Sequence, residues 1–232
     1  MEMNRICKKW CVFLLACLLT LAALAGNVSW CVQAEESKTV TTENGIVLTY
    51  DVFTNGTVAI TGNTQPISGK LVIPQMVDGK QVTKVFGIGK EDELTYVEFP
   101  EGVTGISGFN DCSKLSQVVI PSSAEYFGEF TFRNTPWFSE KQAENPMVIL
   151  NTILVDGSAA SGDVRIPDGV TKINMRAFEC AKNMKTVFIP ESINRIGWCA
   201  FLGCTLTDVY YSGTQEQWDA IEINNSEGCN QL

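Results

Sequence analysis

The stretch Val187-Phe188-Ile189-Pro190-Glu191-Ser192-Ile193-Asn194-Arg195-Ile196-Gly197-Trp198-Cys199-Ala200-Phe201 decides how this chain folds. Val187 and Ile189 alternate with Phe188, the period of a strand with one buried face. Pro190 cannot donate to a sheet ladder, so pairing stops there and the chain turns. Ile193 and Ile196 stand three apart and mark a second short extended or turning segment. Phe201 follows, large enough to fill the space between two walls.

Working outward, the same unit recurs. Its apolar-x-apolar-Pro signature appears as Leu71-Val72-Ile73-Pro74, Val97-Glu98-Phe99-Pro100, Val118-Val119-Ile120-Pro121 and Val164-Arg165-Ile166-Pro167. A last copy, Val209-Tyr210-Tyr211-Ser212, lacks the proline. Successive copies end 26, 21, 46, 23 and 22 residues apart, and 46 is twice 23. The apolar pair three apart returns as Val82 and Val85, Val103 and Ile106, and Val170 and Ile173. A phenylalanine follows at Phe109, Phe132 and Phe178, and Leu94, Leu115, Met184 or Leu206 stands before the next strand. One such coil cannot cover its own apolar face, so coils stack and like residues form ladders. Val97, Val118, Val187 and Val209 should form one inward ladder, and Phe109, Phe132, Phe178 and Phe201 another. A period near 23 falls in the leucine-rich-repeat range.

The units resemble the BspA-type leucine-rich repeat of bacterial surface proteins. The likeness rests on Asp168-Gly169-Val170-Thr171-Lys172-Ile173 with Arg176-Ala177-Phe178, and on Ile189-Pro190-Glu191-Ser192-Ile193 with Gly197, Ala200-Phe201 and Gly203-Cys204. Tyr210-Tyr211-Ser212-Gly213-Thr214, then Gln217-Trp218, resembles the family's closing segment. The resemblance covers roughly residues 57–232. It implies a right-handed, β-rich leucine-rich-repeat solenoid. There are departures. The first unit has Phe86-Gly87-Ile88-Gly89 where a phenylalanine is expected, and Cys180 precedes the usual cysteine position, which Ala181 takes. Such chains often finish with one more strand after the Trp218 region. None is read here, which would leave the last coil under-capped or the chain truncated.

Between Pro121 and Pro167 one period is replaced. Asn134-Thr135-Pro136-Trp137-Phe138 precedes two apolar runs, Met147–Leu150 and Ile153–Val155, joined by Asn151-Thr152. That pattern predicts a β-hairpin insertion over about 134–160. Residues 35–70 hold strand-like runs, Ile46–Val52 and Thr57–Thr61, with turns expected at Asn55-Gly56 and Gly62-Asn63. They are read as an N-terminal β cap, leaving 71–232 as the repeat domain.

Residues 1–34 read as a signal peptide. Arg5, Lys8 and Lys9 precede the mainly apolar run Val12–Ala25, and Val32-Gln33-Ala34 puts small residues at −3 and −1. Leaving out 1–34 removes three basic residues and one acidic residue, taking the formal charge from −9 to −11. So acidic a chain repels phosphate backbones and anionic lipid, so neither nucleic acid nor the membrane surface is an expected partner. The chain has no histidine. That excludes a Ser-His-Asp triad, a Cys-His dyad and histidine metal ligands. No P-loop, EF-hand or Rossmann glycine pattern occurs, and no cofactor is expected. Cys112, Cys180, Cys199, Cys204 and Cys229 follow the leader, an odd number with no CxxC pair. Buried free thiols acting as small apolar side chains are the preferred reading. A disulfide among Cys199, Cys204 and Cys229 stays open.

The residues between the inward ones point outward, and a solenoid's strand face is a common binding surface. Phe188, Tyr210, Tyr96, Val119 and Arg165 form the candidate patch, with Trp198 as a contact from a polar turn. The bland alternative is that loops or the hairpin cover these rings. Trp137 and Trp218 are read as structural. The expected function is a non-catalytic exported or cell-surface binding module, located outside the cell, whose partner is a protein or a glycan. The alternative is a structural or accessory subunit of a bacterial envelope assembly.

Overall fold

The computed structural model describes residues 38–225 and 229–230. The expected leader and its Ala34-Glu35 junction lie outside the described residues. Lys38–Thr41 (β1), Val47–Val52 (β2) and Val58–Asn63 (β3) run antiparallel. β3 then pairs in parallel with Lys80–Ile88 (β6), β6 with Gly105–Gly108 (β8), and β8 with Tyr126–Phe127 (β10). Met76–Val77 (β5) is a short antiparallel arm on β6. The second wall consists of Ser68–Val72 (β4), Glu93–Glu98 (β7) and Gln117–Val119 (β9), all parallel. The chain alternates between the walls, and their inward residues make one core.

The pattern resumes after a break. Val148–Leu150 (β11) and Ile153–Asp156 (β12) form the expected antiparallel hairpin. From β12, Lys172–Ile173 (β14), Arg195–Ile196 (β16) and Glu222–Ile223 (β18) stack in parallel. The other wall is Gly162–Arg165 (β13), Met184–Ile189 (β15) and Asp208–Tyr211 (β17). The result is the expected right-handed β-solenoid of leucine-rich-repeat type. β18 is the strand after the Trp218 region that the sequence reading did not find.

The valine ladder expected as one forms as two separate pairs, Val97 opposite Val118 and Val187 opposite Val209, on different sheets. Val97 and Val187 are fully buried, whereas Val118 and Val209 are only half-buried. The reason is position: among the described residues β9 and β17 end their sheets, with no further strand beside them. The phenylalanine ladder forms in two pieces. Phe109 stacks on Phe132 at 5.9 Å and Phe178 on Phe201 at 5.1 Å. In the coil between them Gly157 lies against Phe178, and a β-carbon there would fall 2.3 Å from the ring. In the first unit buried Ile88 takes the missing phenylalanine's place, its carbonyl accepting from Phe109 N at 2.8 Å.

Each phenylalanine is followed two residues later by a left-handed residue: Asp111 (φ 61°), Asn134 (φ 63°), Cys180 (φ 60°) and Gly203 (φ 72°). Glycine takes that conformation without strain, and Asn and Asp tolerate it. The next position is small: Cys112, Thr135, Ala181 or Cys204. The Cys112 thiol donates to Gly89 O at 3.4 Å and the Cys204 thiol to Phe178 O at 3.0 Å. Ala181 is buried and Cys180 exposed, as the one-residue offset read from the sequence requires.

Three expectations are corrected. Gly62-Asn63 is not a turn but the end of β3, and the turn follows it. The insertion is more than a hairpin, because Pro136–Glu144 is a helix (α1). Thr135 caps it, accepting from Phe138 N at 3.1 Å, and Pro136 suits the first turn, where no amide partner is needed. Trp137 N donates to Leu115 O at 3.0 Å, so α1 stands where the next strand beside β9 would run. Trp137 and Phe138 are its buried residues. Finally, the cysteines are not all free. Cys199 and Cys229 are disulfide-bonded, with Cα atoms 4.8 Å apart, while Cys112, Cys180 and Cys204 are free thiols. The 30-residue separation hides the pairing in the sequence. It is made by the chain returning after β18, where the Asn230 side chain accepts from Phe201 N and donates to Gly197 O.

Candidate functional site

Strand alternation builds the site. In the sheet β13-β15-β17 the inward valines leave two outward rows. One row is Arg165, Phe188 and Tyr210, and the row beside it is Asp163, Thr186 and Asp208. The Arg165 guanidinium carbon lies 3.5 Å from the Phe188 ring centroid. Phe188 and Tyr210 are stacked at 5.0 Å and 13°. A cation, then two parallel rings, therefore run across three coils. Tyr210 is 52% exposed, Arg165 is exposed, and Phe188 is half-buried by its two neighbours. Rings that cover one another on a pleated face need no loop above them. Part of Phe188's apolar area is thus hidden by the ladder itself.

Tyr96 and Val119 lie on the other parallel sheet. There the outward rows are Lys70, Tyr96 and Gln117, and Val72, Glu98 and Val119. Lys70 Nζ sits 4.3 Å from the Tyr96 centroid and 3.4 Å from Glu98 Oε2. The Tyr96 hydroxyl donates to the same carboxylate at 2.7 Å. That hydrogen bond holds Glu98 below its usual pKa and raises Tyr96. Tyr96 is therefore half-buried inside a local cation–ring–carboxylate cluster, not an open platform. Val72 and Val119 remain 39% and 43% exposed on either side of Glu98.

The six candidates are not brought into one patch. Arg165, Phe188 and Tyr210 are together. Tyr96 and Val119 share a second sheet, and no strand pairing joins the two sheets, since α1 stands in the sequence between them. Trp198 is elsewhere, in the turn after β16. It is half-buried beneath Arg176, whose guanidinium carbon is 4.8 Å from the ring, so the contact expected of it is already made within the chain.

A second charged assembly was not foreseen. Arg133 lies 3.8 Å from Asp156 and 3.9 Å from Glu179, while Arg176 pairs with Glu129 at 2.8 Å and with Glu179. Asp156 is buried, which pushes its pKa up against the hydrogen bonds it accepts from Gln142 (2.8 Å) and Ser158. Asn151 ties the hairpin turn back, donating to the carbonyls of Pro121 and Ala124 at 3.0 Å each. Reading the copies as columns would have shown part of it: Arg133 and Glu179 both directly follow the unit's phenylalanine. Two guanidiniums against three carboxylates make this a structural clamp at the break between coils. Among the described residues, no group of three or more Cys, Asp or Glu could hold a metal ion. No described helix is long and apolar enough to cross a membrane.

No curated protein sequence matches the chain. Among solved structures it is similar to a leucine-rich-repeat protein of T. pallidum, at 18% identity and a TM-score of 0.46 over 71% of this chain and 80% of that one. It is also similar to a leucine-rich cell surface protein of Faecalibacterium prausnitzii, at 23% identity and a TM-score of 0.32 over 81% of this chain and 43% of that one. A leucine-rich-repeat protein of Bacteroides ovatus matches at 14% identity and a TM-score of 0.29, covering 80% and 79%. The family model for the BspA-type leucine-rich repeat region matches residues 105–230, more than half of the chain, in six copies. With its coils, its recurring phenylalanine and its strand–proline units in place, the chain belongs to the BspA-type leucine-rich-repeat family.

Proposed function

We propose that this chain is a non-catalytic binding module, exported or held at the cell surface, that presents the outward face of β13-β15-β17 to a protein or glycan ligand. The observation that carries the reading is the Arg165–Phe188–Tyr210 ladder, a stacked apolar and cationic strip with its last ring half open to water. Rings and arginines of this kind supply most of the affinity at interfaces. A leucine-rich-repeat solenoid is a scaffold for such surfaces, its strands fixing outward side chains at regular spacing. The Cys199–Cys229 bond supports an oxidising destination, and the leader read at residues 1–34 supports export.

The test is a surface-plasmon-resonance and glycan-array screen of residues 35–232 against extracellular matrix proteins and polysaccharides. A saturable ligand should emerge, and Phe188→Ser with Tyr210→Ser should weaken it at least tenfold while the circular dichroism spectrum is kept. A folded chain that binds nothing would instead point to a structural subunit of an envelope assembly.

A further inference from the structure

The chain contains an internal example of what its open edge lacks. On β7, Tyr96 and Glu98 stand two residues apart on one face. The neighbouring strand supplies Lys70 in register with Tyr96, its ammonium over the ring and against the carboxylate. On β15, Phe188 receives Arg165 in the same way from the strand beside it. Twice, then, an outward ring is covered by a cation from the adjacent parallel strand.

β17 carries a like pair in reverse order, and among the described residues no strand pairs with its far side. Asp208 and Tyr210 are two residues apart on the outward face, and β15 covers only one face of Tyr210. Among the described residues β17 is the last strand of its sheet, and its other edge offers backbone groups that no described strand pairs. Asp208 accepts one bond, from Thr207 at 2.8 Å, and a carboxylate can accept several more. The nearest lysine on β15, Lys185, is turned to Thr205. Inward on the same strand, Val209 and Tyr211 are half-buried and complete the alternation a paired strand would meet.

We infer that the β17 edge binds an extended peptide segment carrying a lysine or arginine, which adds as a parallel strand, stacks its cation on Tyr210 and pairs it with Asp208. The inference rests on the binding-module reading and names its partner. Charge supports it, since the chain is strongly acidic without its leader and Asp208 lies beside the open ring. A ring–cation contact supported by a carboxylate is the favourable form of this interaction, and main-chain pairing along an edge strand supplies the rest of the affinity.

The probe is a blocked peptide of about ten residues that alternates threonine and valine around one central arginine. Its control carries glutamate at that position. The arginine peptide should bind saturably to residues 35–232 and the glutamate peptide should not. Tyr210→Ser and Asp208→Asn should each weaken binding by roughly tenfold, whereas Tyr210→Phe should retain it. Amide exchange at Asp208–Tyr211 should slow in the complex. Equal binding of both peptides, indifference to Tyr210→Ser and Asp208→Asn, absent protection along β17, or no binding of the arginine peptide would each overturn the inference. A matrix protein or glycan that still loses affinity on Phe188→Ser would then leave the broader reading standing. If that loss is missing too, both fail.

Discussion

Gly157 has no room for a methyl group. A β-carbon there would sit 2.3 Å from Phe178, a ring stacked on Phe201 and fully buried, so it cannot step aside. Gly157→Ala should therefore destabilise the fold by roughly 1–3 kcal/mol, the usual cost of overpacking. A thermal melt reads this directly, and an unchanged midpoint would mean the ring is free to move. Asp156 makes a second prediction at this scale. Burial holds its pKa above the ordinary 3.8, so the folded state resists its ionisation. Below that ordinary value the carboxyl is protonated in both states and the penalty is absent. As pH rises through the folded value the penalty appears, and it persists above it. Measured against Asp156→Asn, the native chain should thus lose stability between acid and neutral pH. Urea titrations of both proteins across that range check it, and a difference that grows in the native chain's favour would contradict it.

Helix α1 depends on one side chain. Thr135 is buried, accepts from Phe138 N and donates to Phe132 O at 2.8 Å, so it caps the helix and closes the preceding coil together. Thr135→Ala should cost about 1–2 kcal/mol, whereas Thr135→Ser should restore most of it. Equal stability of the alanine and serine forms would show that the cap contributes little. The same element shows what could be read in advance. The strands were legible because an apolar-x-apolar unit, closed by proline in all copies but the last, recurs at a period near 23, and its alternation is a local signal. α1 was legible too, in Thr135-Pro136 as cap and first-turn proline, but the expected hairpin absorbed those residues. Of the candidate site, the outward direction of Arg165, Phe188 and Tyr210 followed from strand parity. What did not follow is that Phe188 is flanked on both faces, that Lys70 already occupies Tyr96 and that Arg176 covers Trp198. Those contacts depend on which coils stack in register, and the α1 coil breaks the count. The Cys199–Cys229 bond escaped for the same reason, being set by where the chain returns after β18.

At the scale of the molecule, each coil is stabilised chiefly by the neighbours it stacks on. The last described coil has half-buried Val209, Tyr211 and Ile223 where inner coils have buried counterparts, and the disulfide ties the returning chain to Cys199 of the coil before it. Replacing Cys199 and Cys229 by serine should lower unfolding free energy by about 2–4 kcal/mol. A reductant should reproduce the loss in the native chain, and equal melting with and without reductant would mean that the bond adds nothing. The central claim is that function resides on one face, the outward side of β13-β15-β17. The most direct measurement compares two surface variants of residues 35–232 against the same ligand. One carries Phe188→Ser and Tyr210→Ser, and the other Val72→Ser and Val119→Ser on the second parallel sheet. The account predicts that the first loses binding at least tenfold while the second keeps it, both remaining folded. Loss in the second with retention in the first would contradict it and move the binding surface to β4-β7-β9.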